Sequence, residues 1–483
     1  MANGKLTRQL SAMDGRERER FRQFVNSPYF NQHEPTKKLL DNILESLPIG
    51  EQALSRERLH RKVFGRSVEY QEQRLADVMS SLMKLLSKFL AVEQLEEDSF
   101  LSEVLTMKRA EALGRYSLLK SRDKRLRRLI ARSDHRDGNI LQANFQRQVI
   151  YAYYRTTHEN RADAQAMQQI LDHLDSYYLA EKLRHACHCT ANTLLFNTQF
   201  DFGILTEMLS VIESDHGREL FGQEPSIQCY YHILMSMRDG ENPIHYKKLS
   251  YFLNQELDKF SKLEQQELYL FANNYCILRI RKGDPKFPRE YFELVRRGID
   301  TGLVYRKGQI SEWNYKNFVT LGSKLGEYEW TEDFLESHYD RLPVDKRDNA
   351  YALNKAQYLY SRGRYDEAGD LLLKVTDNDV KYHLARVQLE VRIAYEQRET
   401  TYLLNQLETF RLYILRQKKI SVNDKRSYTN YSRFAKQLAS LKLQSEFFDK
   451  ETLNRKLSGL HKKISDTNML VDREWLLKES QPA

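Results

Sequence analysis

The stretch that decides the fold is NAYALNKAQYLYSRGRYDEAGDLLLKV, Asn349 to Val375. Ala352, Ala356 and Leu359/Tyr360 recur at helical spacing before Gly363, and Ala368, Leu371, Leu372 and Val375 do so after it. A glycine between two apolar stripes of helical period predicts a hairpin of two helices, with Gly363 making the turn. Ala356 and Ala368 fall where the paired helices cross, and small side chains there let the backbones approach.

The neighbouring segments repeat this plan. EWNYKNFVTLGSKLGEYEWTEDFLESHYDRLP turns at Gly326 and closes at Pro343. The next unit turns at Arg398, with Val387, Val391 and Ala394 before it and Leu403, Leu407, Phe410 and Ile414 after it. These turns lie 37 and 35 residues apart, and NYCILRIRKGD turns at Gly283, 43 residues before Gly326. The spacing resembles the tetratricopeptide repeat, whose period is about 34 residues. The expected fold is therefore all-α: an α-solenoid of degenerate tetratricopeptide-like hairpins, preceded by an N-terminal helical domain. The expected divisions are an N-terminal domain at 1–95, a basic helical connector at 96–137, a solenoid at 138–445 with its clearest repeats at 312–415, and a C-terminal helical cap at 446–483. Trp475, Leu476 and Leu477 are the expected anchors of the cap.

The first 95 residues read as four helices. Asp14 and Glu17 form a capping box, and Phe21, Phe24 and Val25 then face inward. NSPYFNQ, Asn26 to Gln32, ends that helix, because Pro28 lacks an N–H and pushes Ser27 out of the helical region. Tyr29 and Phe30 are expected to plug the corner, with Phe30 largely buried. Pro35 opens the next helix, and Ser55 and Gly65 bound a short third one. A long helix follows Tyr70, with Leu75, Val78/Met79, Leu82, Leu85/Leu86 and Phe89/Leu90 on one face.

Bulk properties agree with a helical, non-membrane protein. Of 483 residues, 41% are apolar and 30% charged, and only 9 are proline. No apolar run is long enough to span a bilayer, and MANGKLTRQL lacks the apolar core of a secretory signal. Four cysteines in this length are no disulfide framework, so a cytoplasmic setting is expected. The net charge of +9 is uneven: residues 1–140 carry 27 Lys and Arg against 20 Asp and Glu, and the remaining 343 carry 49 against 47.

Signatures of chemistry are sparse. The sequence contains no phosphate-binding glycine loop, no HExxH and no GxSxG. His185, His188 and Cys189 in HACHC share a helix face at zinc-ligand spacing. They lie opposite the apolar face through Leu179, Leu183, Ala186 and Leu194, so they read as solvent-facing and no metal is expected. The basic segment 115–136, with Arg122, Lys124, Arg125, Arg127, Arg128, Arg132 and Arg136, suits a nucleic-acid or acidic partner, with partial compensation from Asp123, Asp134 and Asp137. Aromatic interleaving is absent from it. In the tetratricopeptide register, Lys316 and Asn354 fall at positions that some repeats use to clamp a carboxylate. Thr320, Ala385 and Leu389 replace the other clamp residues. The candidate partner-binding residues are thus Lys316, Asn317 and Asn354, together with Arg125, Arg127 and Arg128. The expected role is a non-catalytic scaffold for a protein or peptide, without cofactor or membrane. A nucleic-acid regulator using 115–136 is the alternative.

FRQFVNSPYFNQ, LDSYYLAEKLRHAC, NYCILRIRKGD, FVTLGSKLGEYEWTEDFL and DREWLLKE together resemble a family of uncharacterised helical proteins common in Bacteroidota. The resemblance spans nearly the whole chain. It implies a cytoplasmic, tetratricopeptide-like protein and brings no known activity, cofactor or catalytic residue.

Overall fold

The computed structural model describes residues 4–47, 55–158, 164–196, 198–239, 242–376, 379–417, 420–444 and 447–482. Over these residues the chain is all-α. The helices are α1 (Gly4–Ala12), α2 (Gly15–Asn26), α3 (Glu34–Ser46), α4 (Arg56–Phe64), α5 (Glu72–Glu97), α6 (Ser99–Ala112), α7 (Tyr116–Arg132) and α8 (Gly138–His158). Then come α9 (Ala164–Phe196), α10 (Leu205–Glu213), α11 (Asp215–Phe221), α12 (Pro225–Arg238), α13 (Pro243–Gln255), α14 (Lys262–Arg281), α15 (Phe287–Asp300) and α16 (Glu312–Leu325). The last are α17 (Tyr328–Ser337), α18 (Arg347–Ser361), α19 (Tyr365–Leu372), α20 (Val380–Glu396), α21 (Thr400–Arg416), α22 (Val422–Leu443), α23 (Lys450–Ser465) and α24 (Arg473–Glu479). The chain divides into two compact units. One comprises Met1–Ala186, Asp201–Tyr231 and Asp258–Phe260; the other comprises Cys187–Phe200, His232–Leu257 and Ser261–Ala483.

In the first unit, α1–α5 share one core that includes Phe21, Leu39, Leu82 and Phe89. The region up to residue 95 holds five helices rather than four. The additional one, α1, buries only Leu6 and Leu10, too short a pattern to register as a helical stripe. Arg18 ties it down by donating to the carbonyls of Leu10 and Ser11 at 3.1 and 3.0 Å. The Asp14–Glu17 capping box is present with both reciprocal bonds. Ser55 caps α4, and Gly65 ends it at φ +100°.

The corner NSPYFNQ departs from expectation at both aromatics, since neither is largely buried. Phe30 is half-buried and stacks on Phe24 at 4.1 Å, but Tyr29 is 89% exposed and plugs nothing. Asn31, not an aromatic, holds the turn. Its side-chain amide donates to the Val25 carbonyl at 2.9 Å and its oxygen accepts from the His33 N–H at 3.1 Å. Because α2 ends at Asn26, the Val25 carbonyl is one of the last in the helix and has no i+4 helical donor.

The stretch 96–137 folds mainly as α6 and α7. These pack with α8 around Val104, Met107, Leu119, Leu126 and Ile150.

The second unit contains the hairpins foreseen from Asn349–Val375. Gly283, Gly326, Gly363 and Arg398 all adopt left-handed backbone, at φ +83°, +75°, +73° and +60°. In each, the following N–H returns to a carbonyl five residues back: Asp284 to Arg279, Glu327 to Gly322, Arg364 to Leu359 and Glu399 to Ala394, at 2.9–3.1 Å. This is a Schellman helix end, and it satisfies a carbonyl the helix leaves orphaned. In the first unit, Gly114 (φ +64°) makes the same corner between α6 and α7, with Arg115 donating to Ala110 at 2.8 Å.

Small residues admit the partner helix where hairpins cross. Ala356 and Ala368 are fully buried on α18 and α19. On α16, a Cβ at Gly322 would stand 2.3 Å from the Thr331 hydroxyl of α17. On α15, one at Gly298 would stand 2.3 Å from the Tyr269 ring of α14. A core continues through α20–α24 to Trp475 and Leu476, both buried, while Leu477 packs against it half-buried.

Candidate functional site

The candidate site lies within the second unit, on α16, α18 and α20. These are the first helices of three successive hairpins, and α18 packs against both others. The turns are 37 and 35 residues apart, so equivalent positions of successive first helices line up in a row. Lys316, Thr320, Leu353, Asn354, Gln357, Ala385, Gln388, Leu389 and Arg392 line a cavity of about 180 Å³. A smaller one of about 30 Å³ adjoins it, sharing Lys316 and Asn354 and adding Glu312, Trp313, Lys381 and Tyr382.

Its charges fall into two groups. Glu312 is occupied, because it accepts from Lys346 at 2.9 Å and from the Tyr382 hydroxyl at 2.6 Å. Lys381 lies over the Trp313 ring at 4.6 Å, and Lys316 is 6.0 Å from the same ring. At the other end, Arg392 lies over the Tyr360 ring at 4.2 Å and faces Asp472 at 3.7 Å. That separation is too long for a hydrogen bond. The Arg392 Nε and the Asp472 Oδ2 are both buried without a hydrogen-bond partner among the described residues. Burial pushes the Lys316 ammonium below its ordinary range, with Asp472 pulling the other way. Burial raises the Asp472 carboxyl, and Arg392, Lys324 and Lys316 offset this only in part.

Asp472 reaches the groove because its loop is held from behind. The Arg473 guanidinium gathers the carbonyls of Ile464 and Ser465 at 3.0 and 2.8 Å, where α23 ends. Asn430 donates to the Met469 carbonyl at 2.8 Å, and Lys324 pairs with Glu474. Buried Trp475 and Leu476 then fix α24, and Asp472 itself takes the left-handed conformation at φ +53°. Among the described residues, the groove lining includes no histidine, cysteine or serine side chain. Its chemistry is that of charge and amide recognition: three cations, one carboxylate without a hydrogen bond on its inner oxygen, and the amides of Asn354, Gln357 and Gln388.

The sequence-derived candidates separate. Lys316 and Asn354 come together in the groove, although Asn354 already donates to its own helix at the Ala350 carbonyl, 2.7 Å away. Thr320, Ala385 and Leu389 also line it, as the register implied. Asn317 is exposed and lies outside both cavities. In the first unit, Arg125 pairs with Glu103 at 3.1 Å, Arg122 lies 3.5 Å from the same carboxylate, and Arg127 pairs with Asp123. Asp123 is buried and is also held by Arg147 at 3.0 Å. Arg128 is exposed. Arg122, Arg125 and Arg127 of the segment 115–136 are thus drawn onto two buried carboxylates, with Glu103 as the counter-charge that local spacing did not reveal.

In HACHC, His185 is exposed and lies 3.5 Å from Glu181. His188 is not simply solvent-facing: it packs on Phe271 and lies 3.6 Å from Glu267. Leu179, Leu183 and Ala186 are buried, and the Leu194 side chain lies outside the described residues. No group of three or more His, Cys, Asp or Glu among the described residues is arranged to hold a metal. No helix there is long and apolar enough to cross a membrane.

Sequence reasoning missed Arg392 and Asp472. Arg392 sits one turn beyond the clamp register, and Asp472 arrives from a loop 80 residues further on. The one signal for Arg392 was its position seven residues after Ala385 on the same helix, hence on the same face. Comparison with known proteins gives no matching family model, no matching characterised protein and no matching solved structure.

Proposed function

We propose that the chain is a non-catalytic protein–protein interaction scaffold of the tetratricopeptide-like α-solenoid type, and that the groove of α16, α18 and α20 binds an extended acidic peptide. The observation that carries this reading is the pair of buried, unsatisfied charged atoms at Arg392 and Asp472, in line with the Lys316 ammonium. Buried polar groups without partners are costly, and a ligand that supplies them gains that energy on binding. Three cations stand against two carboxylates, of which Glu312 is held by Lys346 from outside the groove and Asp472 faces Arg392, and that balance favours an acidic segment. The repeated left-handed corners, 43, 37 and 35 residues apart, support the solenoid reading. In this reading the protein works in the cytoplasm, and the segment from 446 caps the stack. Membership in the Bacteroidota family of helical proteins is part of the same proposal. The basic segment 115–136 supports a nucleic-acid role less well, because Glu103 and Asp123 hold several of its arginines.

Selection of displayed random peptides on the purified chain tests this. Enriched peptides are expected to be acidic and to lose binding to Thr320→Arg, which fills the groove from α16. Peptides that bind Thr320→Arg as well as the natural chain would overturn the assignment.

A further inference from the structure

The second unit carries a positive field apart from this groove. Helices α22 and α23 together hold ten Lys and Arg against two Asp and Glu. With α21 they enclose an open cleft of about 830 Å³. Arg433 and Lys436 line it from α22, and Arg455, Lys456 and Lys463 from α23. On α22, Arg433, Lys436, Gln437 and Ser440 follow helical spacing along one face, as do Arg455, Gly459 and Lys463 on α23. The one carboxylate in the lining is Glu408 of α21, which pairs with Arg411 at 2.7 Å and lies 3.8 Å from Lys436. Arg433, Arg455, Lys456 and Lys463 are exposed and make no ion pair among the described residues.

We propose that this cleft binds single-stranded nucleic acid through its phosphates, without reading base sequence. Four unpaired cations in one cleft repel each other and are relieved by a polyanion. Exposed Gln437 adds a neutral donor of the kind that meets phosphate oxygens, whereas the Ser432 and Ser440 hydroxyls already donate to the carbonyls of Leu407 and Lys436. A protein partner fits less well. Protein interfaces centre on aromatic and apolar anchors and are poor in lysine, whereas the only apolar side chains lining this cleft are Leu441 and Leu460. At the junction of α22 and α23, Phe447 is 84% exposed, and Lys456 lies 4.8 Å from the centre of the Phe448 ring. Lys456 thus links the Phe448 ring to the cleft lining, and the exposed ring of neighbouring Phe447 offers a base a surface to stack on. The segment 115–136 lacks that feature.

The test is fluorescence anisotropy of the full chain with a labelled oligo-dT strand across a salt series. Four phosphate contacts at ~0.7 each predict a log–log salt slope near −3, so affinity falls roughly fiftyfold between about 50 and 200 mM salt. Arg455→Ala with Lys463→Ala is expected to halve the slope. Glu408→Gln frees Arg411 and Lys436, so it is expected to tighten binding and steepen the slope by about 1.4. That gain cannot arise from a misfolded variant. Arg125→Ala with Arg128→Ala is expected to leave both quantities unchanged. Absence of binding at low salt would overturn the proposal, as would a slope indifferent to Glu408→Gln. Equal affinity for a duplex would contradict the single-strand assignment, and equal affinity for a polyglutamate peptide would transfer the cleft to an acidic protein partner.

Discussion

Arg398 adopts φ +60°, the same left-handed corner that Gly363 makes at φ +73° one repeat earlier. An L side chain pays for that conformation and glycine does not. Arg398→Gly is therefore expected to stabilise the protein by about 0.5–1 kcal/mol, net of the extra freedom glycine gains in the unfolded chain. Gly363→Ala is expected to cost about 1–2 kcal/mol, although nothing lies within 4 Å of the added Cβ, because the penalty is in the backbone alone. Chemical denaturation of both variants checks the pair, and shifts of the same sign would contradict a shared corner.

Gly298 makes a different demand. Its Cβ would meet the Tyr269 ring at 2.3 Å, and both residues are buried. Gly298→Ala is expected to cost about 1–3 kcal/mol by overpacking, and Tyr269→Leu in the same chain should return part of the loss. Additive costs in the double variant would mean that the ring and the glycine do not share this space.

The corner at NSPYFNQ separates two adjacent aromatics. Tyr29→Ser should fall within about 0.5 kcal/mol of the natural stability, as for other exposed positions. Phe30→Ala should cost roughly 1–2 kcal/mol, less than a fully buried phenylalanine, because it loses the stack on Phe24 while already half-exposed. Asn31→Ala leaves the buried Val25 carbonyl without its donor and should cost about 1–3 kcal/mol. Thermal unfolding of the three variants gives the order.

Asp472 predicts a pH dependence. Burial raises its folded carboxyl above the ordinary 3.8, so the folded chain holds this proton more tightly than the unfolded chain. Its contribution is favourable below that value and is lost as pH rises through the folded one. Asp472→Asn removes the titration while tolerating left-handed backbone. Its stability relative to the natural chain should rise as pH increases from about 4 toward neutrality, then level off. Denaturation across that range checks this, and a difference that falls with pH would mean that Arg392 stabilises the charged carboxylate more than burial penalises it.

Much of the fold was legible because its corners are local. Gly283, Gly326 and Gly363 announce themselves by residue type, and Arg398 by distance from Gly363. Gly114 makes an identical corner that stayed hidden, since no neighbouring unit set a period for it. The site was half legible for the same reason. Lys316 and Asn354 follow from register, whereas Asp472 depends on how Arg473 and Trp475 seat a distant loop. Charge was misjudged by averaging. The near balance of residues 141–483 conceals ten cations against two acids on α22 and α23, while the conspicuous run at 115–136 is partly neutralised by Glu103, which lies outside it.

The central claim is that the groove lined by Lys316, Asn354 and Arg392 is a peptide site. Calorimetric titration of a selected acidic peptide into the natural chain and into Lys316→Ala tests it most directly. Loss of a charge-assisted contact predicts at least about tenfold weaker binding in the variant, with the fold unchanged by circular dichroism. An affinity equal to that of the natural chain would contradict the account.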